Sequence, residues 1–130
     1  MKRILGKIKK DIAIENGIPE YANKSIVLYD NDRKHCEKRH MHEFASKQAF
    51  HYVMDNLEVI ICEPDKVYYV KTKDTLEYYK FFEDLGITVR VKLENGKKEA
   101  KVKTMFIVKP KKLENKEQNK YYNMYVVGVK

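Results

Sequence analysis

From Lys66 onward the chain alternates apolar and polar residues with a period of two, a pattern that fits strands of an antiparallel sheet. Lys66-Val67-Tyr68-Tyr69-Val70 is a first run and Leu76 to Phe82 a second. Ile87-Thr88-Val89-Arg90-Val91-Lys92-Leu93 alternates without a break, and Lys97 to Val108 alternates again. Between these last two stands Asn95-Gly96, the dipeptide that most favours a two-residue hairpin turn. Residues 109–120 are polar and Lys-rich and read as a loop, and Tyr121 to Val129 is a last β run.

A two-residue turn at Asn95-Gly96 fixes a register. It sets Val89 opposite Val102, Val91 opposite Ala100 and Ile87 opposite Thr104, all on one apolar face with Leu93 and Phe106. Arg90, Lys92, Lys101 and Lys103 then project from the other face. Four cations on a small patch of sheet repel one another unless an anion lies between them.

Upstream, Ser25-Ile26-Val27-Leu28-Tyr29 is a short strand, and Asp30-Asn31-Asp32 supplies N-cap candidates for a helix from about Asp32 to His42. Ser46 caps a second helix, predicted over residues 47–62. Its Ala49, Phe50, Val53, Met54, Leu57, Ile60 and Ile61 form one apolar stripe. Pro64 ends it. Residues 1–23 are ambiguous between helix and strand, and Gly17-Ile18-Pro19 breaks either. The expected organisation is an N-terminal arm or linker over 1–24 and one α+β domain over 25–130. In that domain two helices precede an antiparallel sheet of four to five strands.

At 130 residues the chain is one domain's worth of polymer. It has no run of about 18 apolar residues to span a bilayer, and no apolar segment follows its basic N-terminus as a secretory signal requires. Its two cysteines, Cys36 and Cys62, are read as reduced thiols, which suits a cytoplasmic setting or a toxin domain delivered into a target cell's cytoplasm. The net charge of +8 is unevenly spread, and residues 87–130 carry twelve basic against four acidic residues. Such a surface attracts RNA, DNA or anionic lipid. With 23 of the 27 cations being Lys, it suits phosphate attraction rather than bidentate base reading.

Three of the four histidines fall in His35-Cys36-Glu37-Lys38-Arg39-His40-Met41-His42-Glu43. Histidine titrates near neutrality and is the default general acid or base. His35 and Arg39 share a helix face. His40 lies about 140° around an ideal helix from His35, so the two serve one site only if the helix end frays or the site wraps over it. A solvated polar face is the plain alternative. A metal site built on Cys36, His40 and His42 with Glu43 is the other, although no HExxH or CxxC spacing supports one. Lys80, on the same strand face as Tyr78 and Phe82, either lies along those rings or binds phosphate. Thr104 alone is an ordinary strand residue.

The succession of a β run, H-x-x-K-R-H on a helix, a second helix ending in E-P-D, then V-Y-Y, L-E-Y-Y-K, V-R-V-K-L and V-K-T-M-F resembles a known family. It is that of the phage-associated nuclease domains of the barnase/EndoU/colicin/RelE-like superfamily, and the match is best over 25–108. The resemblance implies a ribonuclease that uses no metal or other cofactor. His35 and His40 correspond to its helix histidines, Lys80 to its strand lysine, Arg90 and Lys92 to its central basic residues, and Thr104 to the residue before its final M-[FY]. The implied chemistry is attack of a 2′-OH on the adjacent phosphate. His35 and His40 would act as acid and base, Lys80 and Arg90 would stabilise the phosphorane, and Thr104 would bind a phosphate oxygen. Arg39, Lys92, Lys101 and Lys103 would hold the backbone, and Tyr78 or Tyr79 would stack a base. Two departures stand out: Met41 replaces a frequent Pro, and the register above sets Thr104 opposite Arg90's face unless a bulge near Ala100 brings it round. The expected partners are RNA, tRNA among the candidates, and an immunity or antitoxin protein, with no membrane. A non-catalytic nucleic-acid-binding module, or an inactive phage structural protein with the inherited fold, is the alternative.

Overall fold

The computed structural model describes residues 2–82, 85–94 and 97–108 and the backbone of 122–126. In chain order the strands are β1 (Lys2–Lys7), β2 (Ser25–Tyr29), β3 (Lys66–Val70), β4 (Thr75–Phe82), β5 (Leu85–Lys92), β6 (Glu99–Val108) and β7 (Tyr122–Val126). The helices are α1 (Lys10–Glu15), α2 (Asp30–His40), α3 (Lys47–Asp55) and α4 (Leu57–Cys62). One sheet takes the order β1-β2-β6-β5-β4-β3-β7. Its neighbours are antiparallel except β2 and β6, which run parallel from Ser25 opposite Glu99 to Val27 opposite Lys101. The class is α+β as expected. The helices, however, are interleaved with the strands, and the sheet is larger than expected and mixed rather than antiparallel throughout.

Residues 2–24 are not a separate arm. β1 pairs with β2 along its length. Leu5, Ile8, Ile12, Ala13, Ile18 and Tyr21 are buried with the helix and strand side chains of the main core. The reading failed because Lys2–Lys7 buries little of itself: Ile4 is 61% exposed on an edge strand, so its pattern carries no period.

Ser46 caps α3 as expected, its Oγ accepting the Ala49 N–H at 3.0 Å. The single helix expected over 47–62 is two. Asn56, at φ −120° and ψ 25°, leaves helical geometry between α3 and α4. The turn lets Phe50, Met54, Leu57, Ile60 and Ile61 all reach the core. At α2 the N-cap position falls on Tyr29, not on Asp30, Asn31 or Asp32, and Tyr29 makes no side-chain cap bond. Asp30 and Asp32 lie in its first turn and Lys38, Arg39 and His40 in its last, the order the helix dipole favours.

The β5–β6 register departs from the two-residue turn, and Asn95 and Gly96 themselves lie outside the described residues. Lys92 pairs with Lys101 and Val91 with Val102, but Arg90 pairs with Thr104. Lys103 is therefore an extra residue on β6, a bulge. Beyond it the side-chain alternation inverts. Met105 and Ile107 turn to the helix-covered face, opposite Val89 and Ile87, while Thr104 and Phe106 turn to the face of Arg90. Thr104 and Phe106, expected on the apolar face, are corrected to the other one, and the bulge sits at Lys103 rather than near Ala100.

If residues 2–24 are integral, Ile12→Ala should destabilise the fold by about 2–5 kcal/mol in urea unfolding, as truncation of a fully buried side chain does. A detached arm would give no change.

Candidate nucleic-acid site

Because β2 accompanies β6 only as far as Lys101, no described strand pairs with the edge of β6 beyond it on that side. Helix α2 fills the place. Cys36, its buried side chain, accepts the Met105 N–H at 3.3 Å and donates to the Met105 carbonyl at 3.1 Å. Thr104 Oγ1 donates to the same sulfur at 3.7 Å. In the 3₁₀ turn that follows α2 (Met41–Glu43), Glu43 Oε1 accepts the Ile107 N–H at 3.2 Å. The helix thus takes over backbone groups that a strand would otherwise satisfy. Burial pushes the Cys36 thiol up from its ordinary value, so it is held as a neutral structural group.

Between α2 and the sheet opens a recess of about 760 Å³. His35, Arg39 and His40 line it from the helix, and Arg90, Lys92, Thr104 and Phe106 from the strands. Lys103, at the bulge, and Lys73, from the turn before β4, complete a set of five cations with Arg39, Arg90 and Lys92. Asp32 and Glu43 are the acidic side chains on its wall. An anion is favoured there. His35 and His40 share the recess because α2 ends at His40, which sits at φ −125° and ψ −11°, out of the α-helical range.

Arg90 is fixed in place. Its Nε donates to Glu77 Oε2 at 2.7 Å, and Glu77 Oε1 accepts the Tyr79 hydroxyl at 2.8 Å. Glu77 is 2% exposed, so a buried carboxylate is satisfied from both sides. The Arg90 guanidinium also lies 4.7 Å from the centre of the Phe106 ring. His40 packs on that same ring at 5.5 Å between centroids. Phe106 therefore joins the imidazole of the helix to the guanidinium of the sheet. His40 Nδ1 is 2.6 Å from Glu43 Oε2.

The recess brings together His35, His40, Arg90, Thr104, Arg39, Lys92 and Lys103 of the expected residues. It does not bring in Lys80, Lys101, Tyr78 or Tyr79. Lys80 pairs with Ile87 on the helix-covered face and donates to the Glu63 carbonyl at 2.7 Å. It stitches the loop after α4 to β4 and does not meet Arg90. Lys101 lines a neighbouring recess, 3.9 Å from Glu94. Tyr78 and Tyr79 are fully buried, on opposite faces of β4, so neither ring offers a face to a base. Burial pushes the Tyr78 hydroxyl strongly upward. Glu77 and Phe106 are site residues that the sequence reading passed over, and Glu43 entered it only as a donor in the metal alternative. Glu77 alternates with Lys80 on β4, and Glu43 stands three residues after His40, a spacing that allows side-chain contact. Among the described residues no three His, Cys, Asp or Glu side chains gather as metal donors.

An anion-attracting recess with two imidazoles thus lies between a helix and the face of a mixed sheet in a domain of α+β class. The chain belongs to the family described as phage-Barnase-EndoU-ColicinE5/D-RelE like nuclease, whose model matches residues 2–115. No curated protein and no solved structure gives a significant match. No described helix is long and apolar enough to cross a membrane.

Two outcomes follow from this geometry. Glu77→Ala removes the carboxylate that accepts from Arg90 and Tyr79 and should cost about 1–3 kcal/mol in urea unfolding. Iodoacetamide should label exposed Cys62 in the native protein, with Cys36 labelled only as the protein unfolds. Equal labelling of both thiols would contradict the buried role given to Cys36.

Proposed function

We propose that this domain is a metal-independent ribonuclease that cuts RNA by attack of the 2′-OH on the adjacent phosphate. The observation that carries this reading is the recess itself, in which His35 and His40 face the same space as Arg90, Thr104, Lys92 and Lys103. One imidazole removes the 2′-OH proton as the O2′–P bond forms, and the other protonates O5′ as the P–O5′ bond breaks. The products are a 2′,3′-cyclic phosphate and a 5′-OH end. Arg90, held by Glu77, stabilises the charge of the phosphorane without having to reorient, and Thr104 donates a hydrogen bond to a phosphate oxygen. Arg39, Lys92 and Lys103 hold the backbone on either side.

Family membership supports a nuclease, and the paired imidazoles favour RNA, because their chemistry uses the 2′-OH that DNA lacks. A phage or mobile-element toxin acting on cytoplasmic RNA, tRNA included, fits such an activity. A neutralising immunity or antitoxin protein would then be needed wherever the chain is made.

His35→Ala and His40→Ala should each lower cleavage of a mixed-sequence single-stranded RNA by roughly 10²–10⁴-fold, with RNA affinity retained in a filter-binding assay. EDTA should leave the wild-type rate unchanged, and the 2′-deoxy strand should be bound and not cut. A wild-type chain that binds RNA and never cuts it would instead be a binding module.

A further inference from the structure

We infer that Glu43 is a positioning residue that fixes the tautomer of His40, and thereby makes His40 the base of the cleavage. The inference rests on the ribonuclease function proposed above and assigns the two imidazoles different parts in it. Both oxygens of the Glu43 carboxylate are engaged: Oε1 by the Ile107 N–H at 3.2 Å and Oε2 by His40 Nδ1 at 2.6 Å. An ionised carboxylate accepts and never donates. His40 Nδ1 must therefore carry the proton, and the lone pair of the neutral ring is left on Nε2. The ring cannot turn over to exchange its two edges without losing that bond.

With Nε2 bare, His40 takes the proton of the 2′-OH and becomes an imidazolium whose Nδ1–H still faces the carboxylate. O2′ closes on phosphorus, the P–O5′ bond breaks, and O5′ takes its proton from His35, which enters the cycle as the imidazolium. One proton is gained at His40 and one lost at His35, so the step balances. Water then restores both rings. The backbone anchor at Ile107 matters as much as the contact to His40. It ties the carboxylate to β6, the strand that also carries Thr104 and Phe106, and sets the imidazole in register with the phosphate ligands.

The anchor makes the isosteric substitution informative. In Glu43→Gln the amide oxygen must turn to the Ile107 N–H, because the amide nitrogen cannot accept it. The NH₂ group then faces His40 Nδ1, which has to become the acceptor, and the ring proton moves to Nε2. Glu43→Ala leaves His40 free to sample both tautomers. The structure thus predicts an inverted order of damage. Glu43→Gln, closer in shape to the native side chain, should lower kcat by roughly 10²–10⁴-fold, in the range where a wrongly held tautomer disables a base. Glu43→Ala should cost less, and KM should be nearly constant in both.

The experiment pairs kcat and KM on a mixed-sequence single-stranded RNA with long-range ¹H–¹⁵N spectra of the His40 ring in the full chain. Support is an Nδ1-protonated ring in the wild type, an Nε2-protonated ring in Glu43→Gln, and kcat falling from wild type to Glu43→Ala to Glu43→Gln. An unchanged tautomer in Glu43→Gln, or a Gln variant faster than the Ala variant, overturns the inference. If the wild-type chain cuts no RNA at all, the ribonuclease function falls and with it the part given to His40 as base. The tautomer in Glu43→Gln then still decides whether Glu43 sets the ring.

Discussion

The arrangement depends on how the edge of β6 is closed. A strand edge presents backbone donors and acceptors that must be met. β2 meets them only as far as Lys101. Beyond it, a thiol and a carboxylate from α2 and its 3₁₀ turn meet the N–H and carbonyl of Met105 and the N–H of Ile107. A helix with one buried side chain has little apolar surface to hold it. These polar contacts fix it, and they set its histidines beside the sheet face that Arg90 occupies. The bulge at Lys103 belongs to the same device, because it turns Thr104 and Phe106 toward the helix histidines and Met105 into the core.

The charge in the recess is supported from below. Glu77 is buried and paired with Arg90 and Tyr79. The guanidinium is thereby aimed before any ligand arrives. Donors oriented in advance are what make an electrostatic site effective, because no reorganisation is left for the moment of reaction. Phe106 supplies the common surface on which Arg90 and His40 rest. Helix and strand groups are in this way held at one distance from each other by a side chain that neither element's own geometry specifies.

Much of the fold was legible in the sequence, and the reasons are particular. β5 and β6 were readable because buried positions alternate with more open ones over part of each, and β3 and β4 because they are short aromatic-rich apolar runs. Ser46 was readable because a cap acts locally. β1 was not, since an edge strand with an exposed Ile4 shows no period. The parallel pairing of β2 with β6 joins segments far apart in the chain, and no local pattern encodes it. The bulge at Lys103 carries no glycine, so Val102-Lys103-Thr104-Met105 reads as plain alternation. Within the site, Arg90, Lys92 and the helix histidines were legible as types of residue. Their convergence was not, because it needs both the bulge and the departure of His40 from helical geometry. Lys80 was misplaced for a simpler reason. It pairs with Ile87, so it points to the core side, and the register between β4 and β5 could not be read from a turn signal. Tyr78 and Tyr79 are adjacent and point to opposite faces, yet both are buried, because β4 is covered on both sides.

The central claim is that the imidazoles of α2 and the cations of the sheet make one phosphate-binding site. Its most direct measurement is an NMR titration of the full chain with a 2′-deoxy oligonucleotide, which can occupy the site and cannot be cut. The account predicts that the ring signals of His35 and His40 and the Nε–H of Arg90 shift together and saturate at one common concentration. Shifts confined to the lysines, with both imidazoles and Arg90 unmoved, would contradict it.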